Sequence, residues 1–326
     1  MTPAPAALTG WAYRVSAPFT FERVEESVPT SVPDGSLLVE LTAGAVCGSD
    51  LPGARGAVTP PAGRALGTPG YPMHEVVGRV VTSAHPHFSP GDTVVGWGAK
   101  EDALRQYFVT PGSRVDVVRM GCDDVRATVA QSVACLMTLF NRLGPLAGRS
   151  MSIVGMGPFG IMAASMARVL GAGRIVGVDH LDRSADVWAG SVDELVTSHS
   201  RPWSEALAVT DRTDIVLEMV GHQTSTLVDA MRAVATGGTV VSFGVPDDDF
   251  YALPLRDFFR RNGTLVTGVT LEHRAVLAQA QDYLIASPWL AEHMVTDVHP
   301  VDGLPEAFGK ALAPRAGQRK VVIDAR

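Results

Sequence analysis

The chain has 326 residues, 46% hydrophobic and 6% aromatic, with a net charge of −7 at pH 7. That length suits two domains better than one core. The acidic balance argues against a surface built for nucleic acid or anionic membrane, which needs clustered Lys and Arg, and no apolar run approaches the roughly 18 residues of a membrane span.

In chain order, residues 1–7 have no basic stretch ahead of their apolar one, so no secretory signal is expected. Up to about residue 120 the pattern is β-rich. Residues 37–42, 76–82 and 93–96 are short β-branched runs, punctuated at Pro33-Asp34-Gly35, Pro90-Gly91-Asp92 and Pro111-Gly112. Pro60, Pro61, Pro69 and Pro72 mark a loop-rich stretch before His74. Val125, Val129, Val133, Leu136 and Phe140 recur at helical spacing, with Asp123 or Asp124 as the cap. After Gly148, strands at 151–155, 174–179, 214–220, 239–244 and 264–268 alternate with helices, which predicts a parallel, doubly wound sheet. Gly237 and Gly238 are expected to cap the helix over 225–235. A helix near 271–286 precedes a last strand over 319–324, which is expected to return to the first domain's sheet. The three cysteines, Cys47, Cys122 and Cys135, are odd in number and form no CxxC pair, which points away from disulfides and towards the reducing cytoplasm.

Gly155-x-Gly157-x-x-Gly160 lies between an apolar strand and a helix. Gly155 permits the tight turn, Gly157 lets a pyrophosphate approach the backbone, and Gly160 lets the helix pack on its strand. The helix N-terminus then offers free N–H groups and a positive dipole end to phosphate. Asp179, about 20 residues on, suits hydrogen bonds to an adenosine ribose and favours NAD over NADP, because a carboxylate repels a 2′-phosphate. Arg183, four residues further, could counter that repulsion but more often pairs locally.

Cys47-Gly48-Ser49-Asp50 follows one strand, and His74-Glu75 opens another. A thiolate, an imidazole and a carboxylate suit Zn²⁺ with one position open to substrate. On spacing alone this signal is weak, since a lone cysteine at a strand end is usually packing and a His-Glu pair is usually surface.

Taken in order, Cys47-Gly48-Ser49-Asp50, the segment 72–78, Pro90-Gly91-Asp92, the glycine turn at 155–160, Glu218 to Gly221, Gly237-Gly238 and the segment 320–324 resemble the medium-chain dehydrogenase/reductase superfamily, the zinc alcohol and polyol dehydrogenases. The resemblance covers nearly the whole chain. It implies an α/β protein with a GroES-like β-rich catalytic domain, residues 1–122 and 275–326, and a Rossmann NAD-binding domain with a doubly wound parallel sheet, residues 123–274, with the active site in the cleft between them. It further implies that Cys47, His74 and Glu75 ligate one catalytic zinc and that Asp50 orients a ligand. Ser49 would meet the substrate hydroxyl, and Gly155, Gly157, Pro158, Phe159, Gly160, Asp179, Arg183, Val220 and Gly244 would meet NAD.

Four features depart from the pattern. Met73 replaces the glycine before His74-Glu75. Gln131 stands at the remaining zinc position, where a neutral amide supplies no charge, with Cys135 one helical turn further. Pro52 replaces the relay histidine, leaving Ser49, ribose or water to carry the proton. No cysteine lies between Cys47 and Cys122, so no structural zinc is expected. The resulting expectation is a zinc-dependent, NAD-linked enzyme interconverting a secondary alcohol and its carbonyl, a cytoplasmic homodimer or homotetramer with a small-molecule substrate. A zinc-free reductase of an activated C=C or C=O and a non-catalytic NAD(H)-binding protein are the alternatives.

Overall fold

The computed structural model describes residues 8–57, 66–188 and 190–326. Residues 1–7, and with them the reading of the start of the chain, lie outside the described residues, as do Pro60, Pro61 and Arg64 of the Pro-rich loop. The strands are β1 (Thr9–Ala17), β2 (Thr20–Ser27), β3 (Ser36–Val46), β4 (Glu75–Ser83), β5 (Thr93–Trp97), β6 (Tyr107–Pro111), β7 (Val115–Val117), β8 (Met151–Val154), β9 (Ile175–Asp179), β10 (Glu194–Thr197), β11 (Thr213–Glu218), β12 (Val234–Ser242), β13 (Thr264–Val266), β14 (Val295–Pro300) and β15 (Lys320–Asp324). The helices are α1 (Leu51–Ala54), α2 (Asp124–Ala127), α3 (Val129–Leu143), α4 (Pro158–Val169), α5 (Ser200–Ala206), α6 (Thr224–Ala233), α7 (Leu255–Arg260), α8 (His273–Ala286), α9 (Pro288–His293) and α10 (Leu304–Leu312). No helix among the described residues is long and apolar enough to cross a membrane.

Two compact units result: residues 1–137, 271–314 and 320–326 in one, and 138–270 with 315–319 in the other. The first holds a mixed sheet in the order β14-β15-β3-β4-β5-β7, with β6 also paired to β3, and a separate β1-β2 hairpin. Leu37, Val39, Leu41, Val76, Val94, Phe108, Phe308 and Ile323 build its core. The final strand β15 pairs antiparallel with β3, from Val321 opposite Val46 to Asp324 opposite Ala43, as the sequence predicts. The 137/138 boundary falls later than the expected 122/123 because α2 packs on β3, β4, β14 and β15. Asp123 does cap α2, its Oδ1 accepting the Arg126 N–H at 2.9 Å.

The second unit is one parallel sheet, β10-β9-β8-β11-β12-β13, with the order reversing between β8 and β11. Such a reversal opens a crevice at the carboxyl ends of the central strands, where ligands bind in open α/β sheets. One local expectation fails. The helix before β12 ends at Ala233 with an extended Val234, so Gly237 and Gly238 are not its cap. Gly237, at φ 75°, donates its N–H to Arg261 O, and a Cβ on Gly238 would come within 2.8 Å of Asp214 O. These glycines admit a close backbone crossing.

Candidate active site

Cys47 leaves β3 in an extended conformation and opens a one-turn 3-10 helix over Gly48–Asp50. Asp50 closes that turn: its Oδ2 accepts the Cys47 N–H at 2.8 Å, while its own N–H donates to Cys47 O at 3.0 Å. Its second oxygen, Oδ1, lies 2.8 Å from His74 Nδ1. An ionised carboxylate only accepts, so Nδ1 carries the proton and Nε2 is the nitrogen left for a ligand. One buried side chain, 2% exposed, thus ties both candidate ligands together. Ser49 sits half-buried on the same turn. Burial lowers the proton affinity of the His74 ring, but Asp50 and Cys47 outweigh that and hold its pKa well above the usual histidine value. A metal therefore has to displace a proton from this ring, and uptake strengthens as pH rises.

Glu75 is next to His74 and fully buried, but it is not free. Lys320 Nζ, at the start of β15, lies 2.6 Å from Glu75 Oε2 and 2.7 Å from Ser132 Oγ on α3. The Ser132 hydroxyl is 3.3–3.4 Å from both Glu75 oxygens. All three side chains are sealed from water, at 0–2% exposure. Glu75 is thus first the partner of a buried cation, with Oε1 its less committed oxygen.

The donor set nonetheless fits zinc. Ligand atoms of Cys47, His74 and Glu75 all lie within 4.8 Å of one another. Gln131, beside Ser132 in sequence, is 1% exposed and its Oε1 has no hydrogen-bond partner. A buried orphan carbonyl costs about 1–3 kcal/mol, a cost a nearby cation relieves. Cys135 is not part of the group of ligand atoms. Met73 fits in place of a glycine because Gly44 faces it: a Cβ on Gly44 would strike Met73 Sδ. Asp50→Asn leaves one acceptor oxygen for two donors, Cys47 N–H and His74 Nδ1–H. Zinc affinity should fall about 10–100-fold in competition with a chromophoric chelator, and an unchanged affinity would remove Asp50 from this role.

The second unit carries the glycine cradle. Gly155 has φ 95°, and a Cβ there would lie 2.7 Å from Val220 Cγ2. A Cβ on Gly160 would overlap Gly155 O at 2.0 Å, so only glycine lets α4 pack on β8. Around Gly157, which precedes Pro158 at the start of α4, there is open space. A closed turn, an open approach and a free helix N-terminus make a fitting seat for a pyrophosphate. At the end of β9, Asp179 Oδ2 accepts the Met156 N–H at 2.8 Å and Oδ1 the Leu181 N–H at 2.9 Å. These bonds fix the carboxylate at the carboxyl edge of the sheet. Beyond β11, Glu218 Oε1 takes the N–H groups of Val220 (3.0 Å) and Gly221 (2.9 Å). Gly244 passes so close that a Cβ would come within 2.2 Å of Gly221 N. Phe159 and Phe243 pack ring to ring at 5.3 Å.

Arg183 pairs locally. It is 2% exposed, and its Nη1 bonds Asp186 Oδ2 at 3.2 Å and the carbonyls of Arg315 and Gln318 at 3.1 Å. Its Nε stays 3.6 Å from Asp179 Oδ2, behind rather than facing solvent. Trp97 is buried edge-on against His273 at 4.7 Å; Leu51 packs on the core and Arg55 is exposed. Sequence reasoning assigned no role to Lys320, Ser132 or Glu218. A lysine opening an otherwise buried strand was the one available signal for the first.

The family model for the alcohol dehydrogenase GroES-like domain matches residues 33–166, and that for the zinc-binding dehydrogenase matches residues 158–285. L-threonine 3-dehydrogenase of Streptomyces coelicolor is 26% identical over 329 residues, 90% of this chain and 93% of the relative. Sorbitol dehydrogenase of Bacillus subtilis is 24% identical over 181 residues, 54% of this chain and 50% of the relative. Among solved structures, the alcohol dehydrogenase TADH from Thermus sp. ATN1 shares the fold with a TM-score of 0.79, covering 97% of this chain and 100% of its own at 22% identity. With a GroES-like unit and a parallel Rossmann sheet in place and both family models matched in succession, the chain belongs to the zinc-type medium-chain dehydrogenase/reductase superfamily.

Proposed function

We propose that this oxidoreductase is an NAD-linked, zinc-dependent dehydrogenase that interconverts a secondary alcohol, a polyol or metabolite hydroxyl, with its carbonyl. The observation that carries the reading is the two-armed bond of Asp50, which holds Cys47 and His74 within ligand distance of each other. Threonine at carbon 3 and sorbitol, after which two relatives are named, both offer secondary hydroxyls.

When bound, zinc supplies Lewis-acid polarisation of the substrate oxygen and NAD supplies the hydride-accepting ring. Cys47 and His74 would hold the metal, with Glu75 Oε1 and the Gln131 amide oxygen as further donors. Asp50 keeps the His74 proton on Nδ1. Ser49, on the Cys47 turn, would relay the substrate hydroxyl proton, accepting it while passing its own on to the cofactor ribose or water, the role that Pro52 denies to a relay histidine. Asp179 accepts the ribose hydroxyls, and the Gly157 turn takes the pyrophosphate. Three free cysteines support a reducing compartment, the cytoplasm, and the free edge of β13, with Leu265 exposed, supports a homodimer or homotetramer.

Protein purified without chelators should carry about one zinc per chain by elemental mass spectrometry and reduce NAD with secondary alcohols or polyols until a chelator is added. If no metal is present and none is taken up, the zinc reading is lost. One observation, the commitment of Glu75 to Lys320, favours a zinc-free reductase of the same fold, and NADPH or NADH oxidation with activated C=C or C=O substrates would then identify it.

A further inference from the structure

Two imidazoles stand at the adenosine edge of the cradle. His180 follows Asp179 directly, and its Nδ1 lies 3.2 Å from Asp179 Oδ1. Its ring stacks on that of His199, at 5.5 Å between centroids and 12° between planes. His199 comes from the loop after β10, so the pair bridges the carboxyl ends of two neighbouring parallel strands. The His180 side chain is 54% exposed, and His199 is exposed as well. Among the described contacts, Asp179 and His199 are the charged or titratable groups that face His180. Asp182, on the same loop, turns its carboxylate to the Ser184 N–H, and the Arg183 guanidinium is buried against Asp186 and two carbonyls. Arg183 Nε lies 3.6 Å from Asp179 Oδ2, but its guanidinium is buried and is not presented to a second phosphate. Neutral, the rings leave Asp179 to repel one; protonated, they place up to two positive charges next to it.

We propose that the His180–His199 stack is a specificity determinant that admits a 2′-phosphorylated dinucleotide when protonated and leaves the site selective for the unphosphorylated one when neutral. The inference rests on the reading of Asp179 as the ribose acceptor. Histidine is the side chain whose charge changes near physiological pH, so selectivity against the 2′-phosphate should relax as the pH falls from 8 to 6. A 2′-phosphate itself loses charge with a pKa near 6, which works in the opposite direction and makes the variant comparison necessary.

The test measures dissociation constants of NADH and NADPH by fluorescence titration at pH 8 and pH 6, on the full chain and on its H180A/H199A variant. The expected result is that NADPH binding by the full chain gains about tenfold relative to the variant on going to pH 6, while NADH binding by the two proteins stays within about twofold at both pH values. An equal pH response in both proteins overturns the proposal. Asp179→Ala separates the two readings: if it leaves the NADH/NADPH ratio at pH 8 unchanged, or if NADH does not bind at all, the ribose reading fails. If Asp179→Ala lowers that ratio but the histidine variant titrates like the full chain, only the histidine stack falls.

Discussion

Lys320→Met should destabilise the β-rich unit by about 3–5 kcal/mol, the largest stability loss expected from any single substitution near the site. Glu75, Ser132 and Lys320 are 0–2% exposed. Lys320 Nζ reaches Glu75 Oε2 at 2.6 Å and Ser132 Oγ at 2.7 Å. A methionine fills similar volume but leaves the carboxylate inside the protein with one shared hydroxyl hydrogen, and an uncompensated buried charge is far costlier than a lost exposed pair. The double variant E75Q/K320M removes both charges together, and most of the loss should return, since replacing a whole buried pair is often close to neutral. Denaturant unfolding followed by a signal from this unit reads both values. If K320M alone is as stable as the parent, or if adding E75Q recovers nothing, the triad is not the electrostatic unit the geometry describes. The same comparison tests the metal reading from another side. With Lys320 gone, Glu75 is a free carboxylate beside Cys47 and His74, so added zinc should restore part of the stability lost in K320M by mass action on the folded state.

Much of this arrangement was legible in the sequence because its chemistry is local. Gly155, Gly157, Gly160 and Asp179 lie in one strand–turn–helix–strand stretch, where each residue type has a steric or electrostatic reason tied to its neighbours. The parallel sheet followed from the alternation of elements, and the return of residues 320–324 to the first sheet from their apolar character. Partners set by long-range packing were not legible. Lys320 meets Glu75 across 245 positions of chain, and nothing in either segment marks the pairing, so Glu75 was read as a ligand before it could be seen as half of a buried pair. Arg183, four residues after Asp179, reads either as a countercharge or as a local partner, and which of the two holds is fixed by Asp186 and by carbonyls at Arg315 and Gln318. His180 is legible as an unusual neighbour of the ribose site, but its stacking partner is not, because that arrives from the next strand's loop. Gly237 and Gly238 were misread because a close crossing with the chain at Arg261 and Asp214 needs the same residue type as a helix cap.

Cys47→Ala should abolish stoichiometric zinc and lower alcohol oxidation by about 10³-fold or more, while NADH binding to the glycine cradle stays within about twofold of the parent. The argument is geometric and electrostatic. Cys47 is the one thiol among the clustered ligand atoms, and a thiolate contributes a full negative charge that the Gln131 amide cannot replace. Without it the metal would rest on His74 and on a Glu75 carboxylate already claimed by Lys320. The substitution keeps the bond from the Cys47 backbone N–H to Asp50 Oδ2, and loss of activity cannot be laid to unfolding when the circular dichroism spectrum and NADH affinity are unchanged. His74 adds a second readout. Cys47 and Asp50 both raise its pKa, so removing the thiol should move its titration, followed by NMR in metal-free protein, downward from the parent's raised value. Zinc retained at one per chain in Cys47→Ala, with oxidation intact, would exclude Cys47 as a ligand and leave the zinc-free reductase as the better account of this site.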